Sequence, residues 1–147
     1  MELIIKHFCE LTAEELYNIL RARSAVFVVE QNCAYQDMDE ADKVSCHLWL
    51  TDESGLLAYI RVVPAGVVHE DVTIGRVISL KRRCGLASRL LQEGVRIAKE
   101  QFGARRIHIG AQTYARTLYE KAGFTQCGDP YLEDGIPHIP MCRDLDE

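Results

Sequence analysis

The chain has 147 residues, of which 48% are hydrophobic and 27% charged, with a net charge of −5. That length suits one domain with a core of its own, and the composition excludes a disordered chain, a collagen-like fibre, a coiled coil and a globally basic nucleic-acid binder. The charge is uneven: residues 1–73 carry 5 Lys/Arg against 13 Asp/Glu, net −8, whereas residues 74–147 carry 12 against 9, net +3, so an anionic partner is expected in the second half.

In chain order, Leu3–Phe8 is predicted to form a first strand. Its opening residues lack the basic and long apolar stretches of a signal peptide, and no apolar run approaches the ~20 residues of a membrane span. A cytoplasmic protein without a membrane or nucleic-acid partner is therefore expected. Thr12-Ala13-Glu14-Glu15 matches a capping box, with Leu11 and Leu16 as its hydrophobic staple, and opens a helix running through Val26 with a break near Ser24. Residues 30–45 lose the helical period and form a loop made acidic by Asp37, Asp39, Glu40 and Asp42. That loop either attracts a cationic amine or stands as a solvated acidic surface.

Three strands follow, at about 46–51, 56–64 and 72–79, the first two joined by a turn at Glu53-Ser54-Gly55. Leu86, Leu90, Gly94, Ala98 and Phe102 recur every four residues, the apolar stripe of an amphipathic helix that Gly103 ends. Arg106–Ala111 is a short strand, Tyr114–Ala122 a helix stopped by Gly123, and Phe124–Cys127 and Ile136–Arg143 are two last strands. The order βα(α)βββαβαββ predicts a single α/β domain over 1–147, with a mixed sheet and helices on both faces.

The six cysteines show neither CxxC nor zinc-type His/Cys spacing. They are expected to be reduced thiols serving mainly as small buried residues, with no metal. Cys84, beside Arg82 and Arg83, is the one whose surroundings favour thiolate.

The junction Lys81-Arg82-Arg83-Cys84-Gly85-Leu86-Ala87-Ser88 lies between a strand and a helix start. Free N–H groups and the positive end of the helix dipole make such a place an anion site. Gly85 and Ala87 leave room for backbone amides to approach a phosphate. No GxxxxGK[ST] and no GxGxxG after a strand is present, so neither a Walker loop nor a dinucleotide fold is supported. A charged turn capped by a flexible glycine is the plain alternative.

Arg82-x-x-Gly85-x-Ala87, between a β run and an amphipathic helix, resembles the [Q/R]-x-x-G-x-[G/A] motif of GCN5-related N-acetyltransferases. Ala115-x-x-x-Tyr119-x-x-x-Gly123-Phe124 resembles the second signature of that family, in the right order and at the right spacing. Val26–Gln31, Ala111-Gln112 and Tyr131–His138 resemble its ElaA-like branch. Two loop positions depart from the pattern: Arg83 stands where a first glycine is usual, and Ala87 takes the place of the last.

The resemblance implies a mostly antiparallel sheet with splayed strands at a coenzyme A site. It implies acetyl-CoA as cosubstrate, held by Val77, Ile78, Arg82, Arg83, Cys84, Gly85, Leu86, Ala87, Ser88, Gln112 and Tyr119, and no metal. Acyl transfer to an amine needs a base and an acid for the departing thiolate. Tyr119 is the candidate acid. His138 and Glu30 compete as base, and Arg23, Glu30 and His138 are candidates for contacting a small-molecule or peptide amine acceptor. His47 and His108 are expected to be structural or surface residues. Strand edges near the C-terminus could pair two chains as a homodimer. Two other classes compete: a non-catalytic coenzyme A-binding sensor or interaction domain, and a thiol redox or metal protein.

Overall fold

A computed structural model describes residues 1–82 and 84–145. Strand β1 (Glu2–His7) leads to helix α1 (Ala13–Arg23). The Thr12 hydroxyl accepts from the Glu15 N–H at 3.1 Å, and the Glu15 carboxylate accepts from the Thr12 N–H at 2.9 Å. This reciprocal box satisfies two donors that the first turn would leave unpaired.

The helix does not break at Ser24. Its hydrogen bonding widens instead to a π-helical segment over Ser24–Glu30, which ends at Asn32 with φ +51. Five of its seven residues, Ala25 to Val29, are apolar, yet only Val26 is buried. The widening turns Glu30 and Gln31 toward the pocket described below.

The sheet comprises β2 (Cys46–Asp52), β3 (Gly55–Val63), β4 (Val72–Ser79), β5 (Arg106–Gln112), β6 (Thr125–Gln126), β7 (Tyr131–Glu133) and β8 (Ile136–Asp144), together with β1. Its order is β1-β2-β3-β4-β5-β8-β6, with β7 also pairing β8. All neighbours are antiparallel except β4 and β5. That parallel pair requires a crossover, supplied by α2 (Leu86–Phe102). A second short helix, α3 (Arg116–Lys121), follows β5.

Both faces of the sheet are covered. Leu90, Leu91, Val95 and Ala98 of α2 pack with Leu48, Leu50, Ile60, Val62, Ile107 and Ile109 on one face. Ile19, Ala22 and Val26 pack with Trp49, Tyr59 and Ile78 on the other. At Gly94 helix and sheet approach too closely for a side chain: a Cβ there would lie 2.7 Å from Ile60 Cδ1.

Two features were not anticipated from the sequence. Strand β7 and β8 form a hairpin through Asp134-Gly135, both at positive φ (+51 and +77), as a two-residue primed turn requires. Cys127 and Cys142 are joined as a disulfide with a Cα–Cα distance of 6.0 Å. This corrects the expectation of six reduced thiols: β6 and β8 are antiparallel neighbours, and their pairing brings residues fifteen apart into contact. Cys33 and Cys46 are buried and Cys9 and Cys84 exposed, all four unbonded.

Candidate active site

Strands β4 and β5 are paired only at Val72↔Ile107 and Thr73↔His108. Beyond those residues they separate, and β4 keeps an edge whose N–H and C=O groups have no strand partner. A bulge in β4 sharpens the opening. Tyr59 faces Ile78 and Arg61 faces Gly75, so three steps of β4 oppose two of β3. The extra residue lies around Arg76, which has φ +51. In a regular strand Ile74 and Ile78 would share a face; here they belong to opposite cores, the face reversal that one inserted residue produces.

The separated strands enclose a cavity of about 700 Å³. Its lining brings together Glu30, Val77, Ile78, Arg82, Ala87, Gln112, Tyr119 and His138 of the residues predicted from the sequence. Cys84, Gly85, Leu86 and Ser88 flank Ala87 at the start of α2 without lining the cavity, and Arg83 lies outside the described residues.

The start of α2 has the features of an anion site. Gly85 precedes it at φ +72, no side chain caps it among the described residues, and its first turn carries no acidic residue. The first N–H groups of the helix therefore lack intrahelical partners and side-chain caps. The role of Gly85 is more specific than clearance, because a Cβ there would meet nothing within 4 Å. The left-handed backbone is what calls for glycine. Leu86 anchors the turn in the core, while Cys84 stays exposed with its thiol 3.5 Å from the Arg82 carbonyl. Arg82 is folded back onto Glu30 as an exposed ion pair. The Glu30 carboxylate is half exposed and already engaged by a cation.

The other end of the cavity is built on the β7–β8 hairpin. His138 is 5% exposed. Its Nδ1 lies 2.7 Å from the Ile136 carbonyl oxygen. A carbonyl only accepts, so Nδ1 carries the proton and Nε2 of the neutral ring presents its lone pair. Glu133 Oε2 is 3.8 Å from that Nε2, and the Tyr131 ring stacks on the imidazole at 5.5 Å.

Gln112, cross-strand from His138, exchanges two amide hydrogen bonds with Gln31 at 3.0 and 3.3 Å. These bonds tie β5 to the end of the π-helical segment. Tyr119 lines the cavity from α3, edge-on to Phe124 at 6.4 Å. Burial pushes its phenol well above the ordinary tyrosine value, so it stays protonated.

The acidic loop is neither solvated nor open to a ligand at its centre. Asp37 and Asp42 are buried, and with Asp39 they form a network with Arg23, Arg61 and Arg76. Burial alone would raise the Asp42 carboxyl, but hydrogen bonds and charge from Arg23 and Arg61 outweigh it and hold it below the ordinary carboxylate range. Asp39 is lowered in the same way by Arg61 and Arg76 against its own burial.

This network removes Arg23 from the acceptor site. Its side chain is fully buried, and all three guanidinium nitrogens bond to Asp37 or Asp42. His47 is likewise structural: its Nε2 donates to the Asp42 carbonyl at 2.9 Å and its Nδ1 accepts from the Tyr59 hydroxyl at 2.5 Å. His108, by contrast, reaches the cavity wall and stacks on His69 at 3.9 Å.

Sequence reasoning also missed Gln31, Arg76, Tyr131 and Glu133 at the cavity. Two signals were available. Gly75 inside a strand pattern marks a bulge, and Asp134-Gly135 between short β runs marks a hairpin.

Comparison with known proteins gives a consistent result. An acetyltransferase (GNAT) domain model matches residues 10–145. A UPF0039 protein of Schizosaccharomyces pombe is 40% identical over 149 residues, covering 99% of this chain and 98% of the relative. The crystal structure of Escherichia coli ElaA superposes with a TM-score of 0.90 at 34% identity, over 98% of this chain and 100% of that one. An acyl-CoA N-acyltransferase from Pseudomonas aeruginosa superposes at 0.88 with 36% identity, over 97% and 99%.

Proposed function

The chain belongs to the GCN5-related N-acetyltransferase (GNAT) family, and on that premise we propose that it is a single-domain enzyme, residues 1–147, transferring an acetyl group from acetyl-CoA to an amine of a small molecule or peptide. The observation that carries this proposal is the opening between β4 and β5, with an uncapped helix start at one end and His138 at the other.

The pyrophosphate is assigned to the N–H groups at the start of α2, with Gly85 setting the turn and Lys81, Arg82 and Arg89 adding positive charge. Arg82 exchanges Glu30 for phosphate on binding. The pantetheine amides pair with the free edge of β4 at Val77 and Ile78, in the manner of an added strand.

At the reacting end, His138 Nε2 takes the proton from the acceptor ammonium, and the Glu133 carboxylate steadies the imidazolium that results. The neutral amine attacks the thioester carbonyl, the new N–C bond forms and the C–S bond breaks. Tyr119 donates its hydroxyl proton to the departing sulfur, and the second proton, shed by the nitrogen as it becomes an amide, restores the phenol. Burial keeps the phenol protonated, so it holds its proton until the thiolate forms.

The test is coenzyme A release from acetyl-CoA across a panel of primary amines, alongside direct binding of the cofactor. Turnover with at least one amine is expected. Binding without turnover on a broad panel would make the chain a non-catalytic coenzyme A binder, and absence of both would overturn the proposal.

A further inference from the structure

The sequence holds no zinc-type spacing of His and Cys, yet the fold assembles such a group. His108 on β5 is the direct cross-strand partner of Cys142 on β8, and Cys127 follows β6, which also pairs β8. One ligand atom from each of these three residues lies within 4.8 Å of the other two. The group runs from the interior strands β5 and β8 to the chain after edge strand β6; Cys142 is buried, His108 half-buried and Cys127 exposed to solvent.

We propose that, when Cys127 and Cys142 are reduced, they and His108 bind a zinc-class divalent cation, whose fourth position is taken by water on the exposed Cys127 side. This inference is independent of the acyl-transfer proposal. Two thiolates and an imidazole select a borderline-soft ion over magnesium or calcium. A tetrahedral centre with bonds of about 2.3 Å to sulfur and about 2.0 Å to nitrogen sets neighbouring ligand atoms under about 4 Å apart. The Cα–Cα separation of 6.0 Å lets the sulfurs share an ion with little backbone movement.

The His108 ring is held against a neighbour. His69 stacks on His108 with an interplanar angle of 5°, and is itself held by the Asp71 N–H, which donates to His69 Nδ1 at 3.0 Å. That stack limits how far the His108 ring can tilt.

Cation and disulfide exclude each other because each uses both sulfurs. A small-molecule disulfide converts one state to the other. One protein thiolate attacks the small-molecule disulfide and releases one thiolate, the second protein thiolate displaces the other to form the Cys127–Cys142 bond, and the cation leaves. The cation thus serves as a brace between β5, β6 and β8 under reducing conditions.

The probe is cobalt(II) added to protein reduced with a thiol-free phosphine. One cobalt per chain is expected, with a sulfur-to-cobalt charge-transfer band and the visible bands of a tetrahedral site. Zinc should displace it, and oxidised glutathione should abolish both bands. Cys127→Ser should lose the charge-transfer spectrum, His108→Ala should lose the tetrahedral visible bands, and the Cys9→Ser/Cys84→Ser double variant should keep both. As a second readout on the unaltered chain, zinc should slow alkylation of Cys127. No charge-transfer band, a band that survives Cys127→Ser, or unprotected Cys127 would each overturn the proposal and leave the pair as a disulfide only.

Discussion

Replacing Arg23 by alanine separates two roles that this residue could play. Its side chain is fully buried, and its guanidinium makes four hydrogen bonds to Asp37 and Asp42. Three arginines and three aspartates make the network neutral, so the substitution leaves one uncompensated negative charge in the interior. Removing one partner of a buried ion pair costs about 3–5 kcal/mol. The lower end applies here, because Asp42 keeps Arg61 at 2.9 Å and Asp37 keeps Arg76 at 2.8 Å. Unfolding entropy for a chain of this length is roughly 0.3 kcal/mol/K, so about 3 kcal/mol lowers Tm by about 10 °C. A thermal melt followed by circular dichroism reads this directly. The network also positions Arg76 at the β4 bulge, so cofactor affinity should fall only modestly at temperatures where the variant is folded. A Tm within about 2 °C of the parent, together with a raised KM for the acceptor, would refute the structural role and return Arg23 to the acceptor site.

Four further outcomes follow from the same geometry. Tyr119→Phe should keep cofactor affinity while lowering kcat by about 10²–10⁴, the range typical of a lost general acid; unchanged kcat in steady-state assays would end the acid assignment. His138→Ala should lower turnover far more than cofactor affinity, and unaltered turnover would pass the base role to Glu30 or water. Arg82→Ala should weaken coenzyme A binding by less than about tenfold, since an exposed charge contributes up to about 1 kcal/mol and the backbone amides do most of the holding; calorimetric titration measures it, and unchanged affinity would mean that Arg82 does not leave Glu30. Asp39 and Asp42 have folded-state pKa values below the ordinary range. Their stabilisation is therefore complete above about pH 4 and is lost as pH falls through the depressed values, so urea midpoints should drop on acidification in the parent and less in Asp42→Asn.

What the sequence made legible were the features whose signals are local. The Thr12–Glu15 box, the four-residue period of α2 and the Gly103 stop are each written in one contiguous stretch of chain, and the structure reproduces them. Element order gave a mixed sheet with helices on both faces, and the family resemblance implied its mostly antiparallel, splayed form. The acidic loop was opaque for the opposite reason. Asp37 looks like a surface residue until Arg76, 39 positions away, is folded beside it. The Cys127–Cys142 pair was hidden similarly, because only the β6–β8 register brings those sulfurs together. Within the site, the start of α2 was legible as a loop-to-helix junction, whereas the surroundings of His138 depend on a hairpin whose Asp134-Gly135 signal was present but unused. The contact of Glu30 with Arg82 spans 52 positions and leaves no trace in either segment alone.

The bulge in β4 bears on how this chain and its relatives can diverge. The groups offered along that edge are main-chain N–H and C=O, which every residue except proline carries in full. Point substitutions at Val77 or Ile78 therefore change shape without deleting the hydrogen-bonding groups, whereas losing one residue from the strand would turn Ile78 out of its core. The opposite end of the cavity is made of side chains (Tyr131, Glu133 and His138), each open to replacement by a single codon change. Variation is thus buffered along the β4 edge, whereas at the hairpin end it falls directly on the side chains that line the cavity, His138 among them.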